Sequence, residues 1–282
     1  MTVSGTHDAG TATTHRGKVL IILSSAGELD LQGDKKFKTG FYLDELVVPL
    51  RKIVAAGFTP VFANPKGNAV SFAPDSNNSM FFGGDDAARA SAVEYVGGIA
   101  ALTHPKTFAE IVTGGCDDYV GVFIPGGHAP LQDLGRDKLL GQILTAFHEA
   151  AKPTAVLCHG PIALLSTTSD PEGFHRAMAA GDLQAAGTLA SGWPYAGYRL
   201  TVFSSAEEMA IEGMLGGRVP FHAADALAEA GAHVDRVAAF HPNVIHDREL
   251  VSGQQPFSSH ALGDAFVEKL KAASAVAMKA EG

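Results

Sequence analysis

Cysteine is scarce in this sequence, with only Cys116 and Cys158 present. Two cysteines cannot build the disulfide framework on which small secreted domains depend, and a reducing, cytoplasmic setting is expected. Basic residues are also short. Lys and Arg number 21 against 30 Asp and Glu, for a formal net charge of −9. That balance weighs against nucleic acid and against anionic membrane surfaces as partners. No apolar run approaches the ~20 residues of a membrane span, so no membrane association is expected. Residues 1–16 lack an apolar signal-peptide segment and are expected to form a flexible N-terminal arm. No paired-cysteine or H-x-x-x-H spacing is present, and neither is a G-x-x-x-x-G-K-[ST] loop nor a convincing G-x-G-x-x-G. No metal and no cofactor are therefore expected. Internal repeats and linker-like stretches are absent too, which leaves residues 17–282 as a single expected domain.

What remains is apolar and strongly patterned. Hydrophobic residues make up 46% of the chain and charged residues 18%, ample for a sizeable core. Lys18–Leu23 reads as a strand that is apolar on both faces, as central parallel strands are. A polar loop is expected over Ser24–Lys38. Phe41–Ala56 has helical apolar spacing and closes at Gly57, and a strand follows at Thr59–Ala63. This β-α-β opening implies a parallel sheet with right-handed crossovers. Residues 64–117 form a long excursion, expected to carry one or two short helices and to supply a pocket wall or lid. Asp118–Ile124 is the next strand, followed by a helix near Arg136–Ala151. Ser169–Tyr195 reads as loop. Arg199–Phe203 reads as a strand leading into a helix capped by Ser204 or Ser205. A short helix is expected at Asp225–Glu229. Edge strands are expected at His233–Phe240, Val244–Asp247 and Glu249–Gly253, before a closing helix over Ser258–Ala280.

The stretch most suggestive of chemistry is Thr154–Leu165. A buried strand runs into Cys158-His159-Gly160-Pro161 and then into an apolar helical segment. That is the grammar of a nucleophile elbow, in which a strand-to-helix turn pushes one side chain out above the sheet. A helix N-terminus beneath the sulfur would favour the thiolate. A cysteine nucleophile also needs a base, an orienting carboxylate and oxyanion donors. His159 is the nearest base. Glu207 and Glu208, at a strand-to-helix junction, are the carboxylate candidates. Gly126 and Gly127 lie in a Gly-Gly turn after a strand and, with the N–H of His159, could supply the donors; His128 could line the pocket. Asp44 and Glu45 sit together in an otherwise apolar helix. One of them could point inward, with a pKa raised by burial. His241, His246 and His260 show no ligand spacing.

Taken in order, Thr39-Gly40-Phe41-Tyr42-Leu43-Asp44-Glu45, Phe123-Ile124-Pro125-Gly126-Gly127-His128, Leu157-Cys158-His159-Gly160-Pro161 and Arg199-Leu200-Thr201-Val202-Phe203-Ser204-Ser205-Ala206-Glu207-Glu208 resemble the ThiJ/PfpI superfamily, in particular its branch of heat-shock chaperones and glutathione-independent glyoxalases. The resemblance implies an α/β, flavodoxin-like doubly wound sheet, mostly parallel, with helices on both faces. It also implies Cys158 as nucleophile, His159 as its neighbour, Glu45 as the carboxyl that contacts the cysteine, and Glu208 as third triad member with Glu207 as fallback. The expected activity is conversion of methylglyoxal or a similar small 2-oxoaldehyde to a 2-hydroxy acid. Rival expectations are a redox-sensing holdase chaperone and a cysteine-dependent amidase or peptidase. A homodimer is expected.

Overall fold

The structure, a computed structural model, describes residues 16–280, with side chains through residue 275. The arm expected over residues 1–16 lies outside the described residues, apart from Arg16.

Seven strands form the main sheet: β1 (Lys18–Ile22), β2 (Thr59–Asn64), β3 (Lys106–Thr107), β4 (Tyr119–Ile124), β5 (Thr154–Leu157), β6 (Val244–Asp247) and β7 (Leu250–Gly253). Their spatial order is β6-β7-β5-β4-β1-β2-β3. Every neighbouring pair is parallel except β6 with β7, which is antiparallel. Helices α1 (Leu43–Ala55), α2 (Asp86–Gly97), α3 (Phe108–Gly114), α4 (Lys138–Glu149), α5 (Pro171–Ala180), α6 (Leu183–Leu189), α7 (Ser205–Leu215), α8 (Ala223–Glu229) and α9 (Ser259–Ala280) connect and cover the strands. This is the expected α/β, flavodoxin-like doubly wound architecture.

The alternation of side chains along the central strands divides the interior in two. Val19, Ile21, Phe123, Ala155 and Leu157 face a core closed by α1 and α9 through Leu43, Leu46, Leu50, Leu262 and Phe266. Leu20, Ile22, Val122, Ile124 and Val156 face the other core, closed by α3 and α4 through Phe108, Ile111, Leu140, Leu144 and Phe147. A strand buried on both faces needs apolar residues at every position, which is why β1, β4 and β5 read as continuous apolar runs.

Several local expectations change. The polar loop at Ser24–Lys38 contains an antiparallel hairpin, Glu28–Leu31 with Lys35–Lys38, whose Leu29 and Leu31 are buried. Ser169–Tyr195 is largely helical. Pro171 opens α5, Gly181 ends it in a left-handed conformation (φ 72°), and the Asp182 side chain caps α6 through the N–H of Ala185. Of Arg199–Phe203, only Arg199–Leu200 is strand, paired with His233–Val234 in a separate two-stranded sheet. The rest of the segment is drawn off by other partners: Thr201 N–H donates to Ser252 Oγ and Phe203 N–H to the Cys158 carbonyl. The C-terminal strand β7 is interior rather than an edge, because β6 covers its outer side; all four of its residues are buried.

The excursion at residues 64–117 contains α2, α3, β3 and three short 3-10 turns. Asp75, Met80 and Phe81 from it line a cavity over the C-terminal ends of the strands. In open α/β sheets that end, where the strand order reverses on either side of β1, is where ligands bind.

Candidate active site

Cys158 leaves the end of β5 with φ of 57°, in the left-handed region that non-glycine residues rarely adopt. Its N–H donates to the Gly253 carbonyl (2.9 Å), and its own carbonyl accepts from Phe203 N–H (3.0 Å). The elbow is therefore present and is clamped on both sides. The segment that follows, Gly160–Thr167, is a 3-10 helix rather than the expected α-helix. Gly160 lies against β4: a Cβ there would come 2.4 Å from the Ile124 carbonyl oxygen.

Three of the expected residues form one relay. His159 Nδ1 lies 3.4 Å from Cys158 Sγ, and its Nε2 lies 2.6 Å from Glu208 Oε2. The other Glu208 oxygen, Oε1, lies 2.9 Å from His128 Nε2. One buried carboxyl thus joins two imidazoles, whose ring centroids are 4.2 Å apart. Phe203 packs on the His159 ring, with centroids 4.7 Å apart. Burial opposes ionisation of Glu208, but the charge and hydrogen bonds of His159 and His128 outweigh it and carry the carboxyl below its ordinary range. Burial, then the neighbouring His128, lowers the pKa of His159. An ionised Glu208 accepts the proton on Nε2 and leaves the Nδ1 lone pair facing the thiol, the tautomer a base requires. Glu207, the fallback, is engaged elsewhere. It completes a capping box with Ser204 at the start of α7 and accepts from Phe240 N–H and Gln254 Nε2.

Glu45, in the first turn of α1, is fully buried. Its Oε2 accepts from Gly126 N–H (2.8 Å). A Cβ on Gly126 would come 2.5 Å from Cys158 Cβ and 2.6 Å from Glu45 Oε2, so only glycine lets the carboxyl and the cysteine share this corner. The expectation that Gly126 offers an oxyanion donor is corrected, because its N–H is committed to Glu45. Gly127, at φ 90°, directs its N–H toward Cys158, which favours the thiolate.

The electrostatic expectation also changes. Cys158 is pushed well above an ordinary thiol by burial first and then by the charge of Glu45 and its hydrogen bond; Gly127 opposes both. The resting thiol therefore keeps its proton. Burial, then the adjacent Asp44, pushes Glu45 upward as well. Asp44 is itself raised to about 7 by burial. Its Oδ2 lies 2.7 Å from Ser259 Oγ, which lies 2.6 Å from the Pro256 carbonyl. Ser259 has one hydrogen for two acceptors, so a protonated Asp44 satisfies the chain and an ionised one does not.

The cavity above Cys158 is about 580 Å³ and largely apolar. Tyr42, Phe81, Phe203 and Phe257 line it, and sequence reasoning gave none of them a role. Their apolar side chains carried no chemical signal. Only the position of Tyr42, three residues before Glu45, and of Phe203, at the α7 junction, placed them near the site. Among the described residues, one cluster has the composition of a metal site. It is His128, His159 and Glu208, whose ligand atoms lie within 4.8 Å of one another. Their hydrogen bonds to one another already occupy those atoms.

Residues 38–171 match the sequence profile of the DJ-1/PfpI family. The chain is 29% identical over 274 residues to a Staphylococcus aureus protein named protein/nucleic acid deglycase HchA, covering 94% of this chain and 84% of that one. Among solved structures, glyoxalase III from Candida albicans superposes with a TM-score of 0.68 at 20% identity, over 90% of this chain and 98% of that one. A 24 kDa rapid encystment protein from Francisella tularensis superposes with a TM-score of 0.67 at 18% identity, over 90% of this chain and 99% of that one. These structural likenesses establish the fold.

Two outcomes follow from the electrostatics. With Glu45→Gln, the pH profile of Cys158 alkylation by iodoacetamide, read by peptide mass spectrometry, moves to lower pH because a negative charge leaves the thiol's side. An unchanged profile would contradict the coupling. The second concerns stability. The folded-state pKa of Asp44 is raised from 3.8 to about 7, so its contribution is full below the unfolded value and is lost as pH rises through about 7. The melting temperature should fall less between pH 5 and pH 8 in Asp44→Asn than in the parent, and equal falls would contradict this assignment.

Proposed function

We propose that this chain, which has the DJ-1/PfpI fold and matches that family's profile over residues 38–171, is a glutathione-independent glyoxalase-type enzyme that converts a small 2-oxoaldehyde to a 2-hydroxy acid. The observation that carries the reading is the Cys158–His159–Glu208 relay at 3.4 and 2.6 Å, with the buried Glu45 also beside the cysteine. The names of the Staphylococcus deglycase and the Candida glyoxalase III point to the same chemical class.

The chemistry runs from the neutral resting pair. His159 Nδ1 takes the thiol proton as Cys158 Sγ adds to the aldehyde carbon, and the product is a hemithioacetal. Gly127 N–H favours negative charge beside the sulfur. A base, His159 or Glu45, moves the proton from the former aldehyde carbon to its neighbour through an enediol. Glu45 suits this step, because burial raises its pKa and so favours a carboxyl that takes up a proton beside the sulfur. The resulting thioester is hydrolysed by water to the 2-hydroxy acid. One substrate carbon is oxidised and the other reduced, so the net reaction adds only water and needs no redox partner. Glu208 holds His159 in register and keeps its Nε2 protonated. His128, on the other Glu208 oxygen, lines the pocket near the substrate oxygens.

A holdase chaperone is the second reading, favoured by exposed Met80, Met214 and Phe240 around the mouth of the cavity. Such an activity would survive Cys158→Ser. A cytoplasmic homodimer remains part of the proposal, on the general prevalence of twofold assemblies.

Purified protein given methylglyoxal without glutathione should form lactate. Cys158→Ser should abolish turnover. Glu208→Gln should lower kcat by about 10²–10⁴-fold, the usual loss when general-base catalysis is removed. Absence of lactate from the parent protein would overturn the reading, and lactate from Cys158→Ser would overturn the role of the thiol.

A further inference from the structure

The cavity is much larger and less polar than methylglyoxal requires. At about 580 Å³ it could hold the equivalent of roughly twenty waters, at ~30 Å³ each, and a three-carbon ketoaldehyde fills only a small part of it. Clefts of this size and character accommodate ligands with a substantial apolar body. We infer that the preferred substrate is an uncharged 2-oxoaldehyde carrying an aryl or bulky branched alkyl group, and that this group occupies the aromatic wall above Cys158.

Three observations carry the inference, which rests on the glyoxalase-type reading. The first is the wall. Tyr42, Phe81 and Phe257 pack in sequence, with centroids 5.0 Å apart for Tyr42–Phe81 and 5.9 Å apart for Phe81–Phe257. Edge-on and tilted rings of this kind offer an aryl group the offset and T-shaped contacts aromatic pairs favour. The second is the mouth. Met214 is 77% exposed, Met80 52% and Phe240 43%, and all three line the cavity. Exposed methionine side chains adapt to apolar groups of varied shape. The third is charge. Among the described residues that line the cavity, Asp75 is the only Asp or Glu and none is Lys or Arg. A phosphorylated or otherwise anionic substrate would meet no cation there. The hydroxyls of a sugar-derived dicarbonyl would lose water against phenylalanine and methionine without regaining hydrogen bonds.

The chemical end of the molecule needs only the floor of the cavity. Cys158, His159 and His128 meet the dicarbonyl, and the apolar group extends from there toward the mouth. Each methylene buried on the way adds up to about fourfold to binding. The carboxylate product carries a charge that the apolar wall and Asp75 disfavour, which assists release.

Steady-state kinetics with phenylglyoxal and methylglyoxal tests the inference, with product identified as mandelate or lactate and Cys158→Ser as the blank for non-enzymatic reaction. The expected result is a kcat/KM for phenylglyoxal at least tenfold above that for methylglyoxal, with most of the difference in KM. Two variants serve as probes: Ile211→Trp, which adds bulk at a half-buried residue that also lines the cavity, and Met214→Glu, which places a charge at the exposed mouth. Each should lower the phenylglyoxal-to-methylglyoxal ratio at least fivefold, with melting temperature as the check on folding. Equal or better use of methylglyoxal by the parent protein would overturn the inference and leave the glyoxalase reading standing. Turnover of neither aldehyde would overturn both.

Discussion

A non-glycine residue held in the left-handed region costs on the order of 1–3 kcal/mol, and this fold holds Cys158 there at φ 57°. Two backbone hydrogen bonds do the holding. One comes from the end of β7 through Gly253, the other from Phe203 ahead of α7. The same contacts fix the rest of the site. Phe203 packs on His159, and the helix that begins two residues later carries Glu208 to the far nitrogen of that ring. The short strand at Arg199–Leu200 ends early because the backbone beyond it is needed at Cys158 and Ser252. Local departures from regular structure and the geometry of the relay thus have one cause.

Charge is arranged around the sulfur in opposition. Glu208 is ionised and lies beyond His159, where its charge supports a proton on the imidazole. Glu45 is raised by burial and lies directly beside the thiol. A thiolate beside an ionised Glu45 is disfavoured, whereas a thiolate beside a protonated Glu45 is not. The site therefore keeps one carboxyl charged and biases the other toward its protonated form. Asp44, one residue earlier, is buried as well and hydrogen-bonds to the Ser259 hydroxyl, which also reaches the Pro256 carbonyl.

Much of this was legible in the sequence because its physical causes are local. Strands buried on both faces must be continuously apolar, so β1, β4 and β5 stood out. The Cys-His-Gly-Pro turn declared itself through residues needed at a tight strand-to-helix junction. The polarity of Glu45 within an apolar helix marked it as unusual, and family resemblance sharpened it and Glu208. Other features depended on distant partners. Nothing local tells that Glu208 joins two imidazoles, or that Gly126 spends its N–H on Glu45 rather than on substrate. The helices within Ser169–Tyr195 were signalled by Asp170-Pro171 and Gly181-Asp182, punctuation that also fits loops. The aromatic wall was invisible because Tyr42, Phe81 and Phe257 come from separate segments and meet only in the folded chain.

The central claim is that Cys158 bonds covalently to the substrate carbon during turnover. Rapid acid quench of the protein with a 2-oxoaldehyde, followed by peptide mass spectrometry, tests it most directly. The account predicts an acyl thioester on the Cys158 peptide that appears before product accumulates and is removed by hydroxylamine, with none on the Cys116 peptide. Product formation with Cys158 unmodified at every quench time would contradict it.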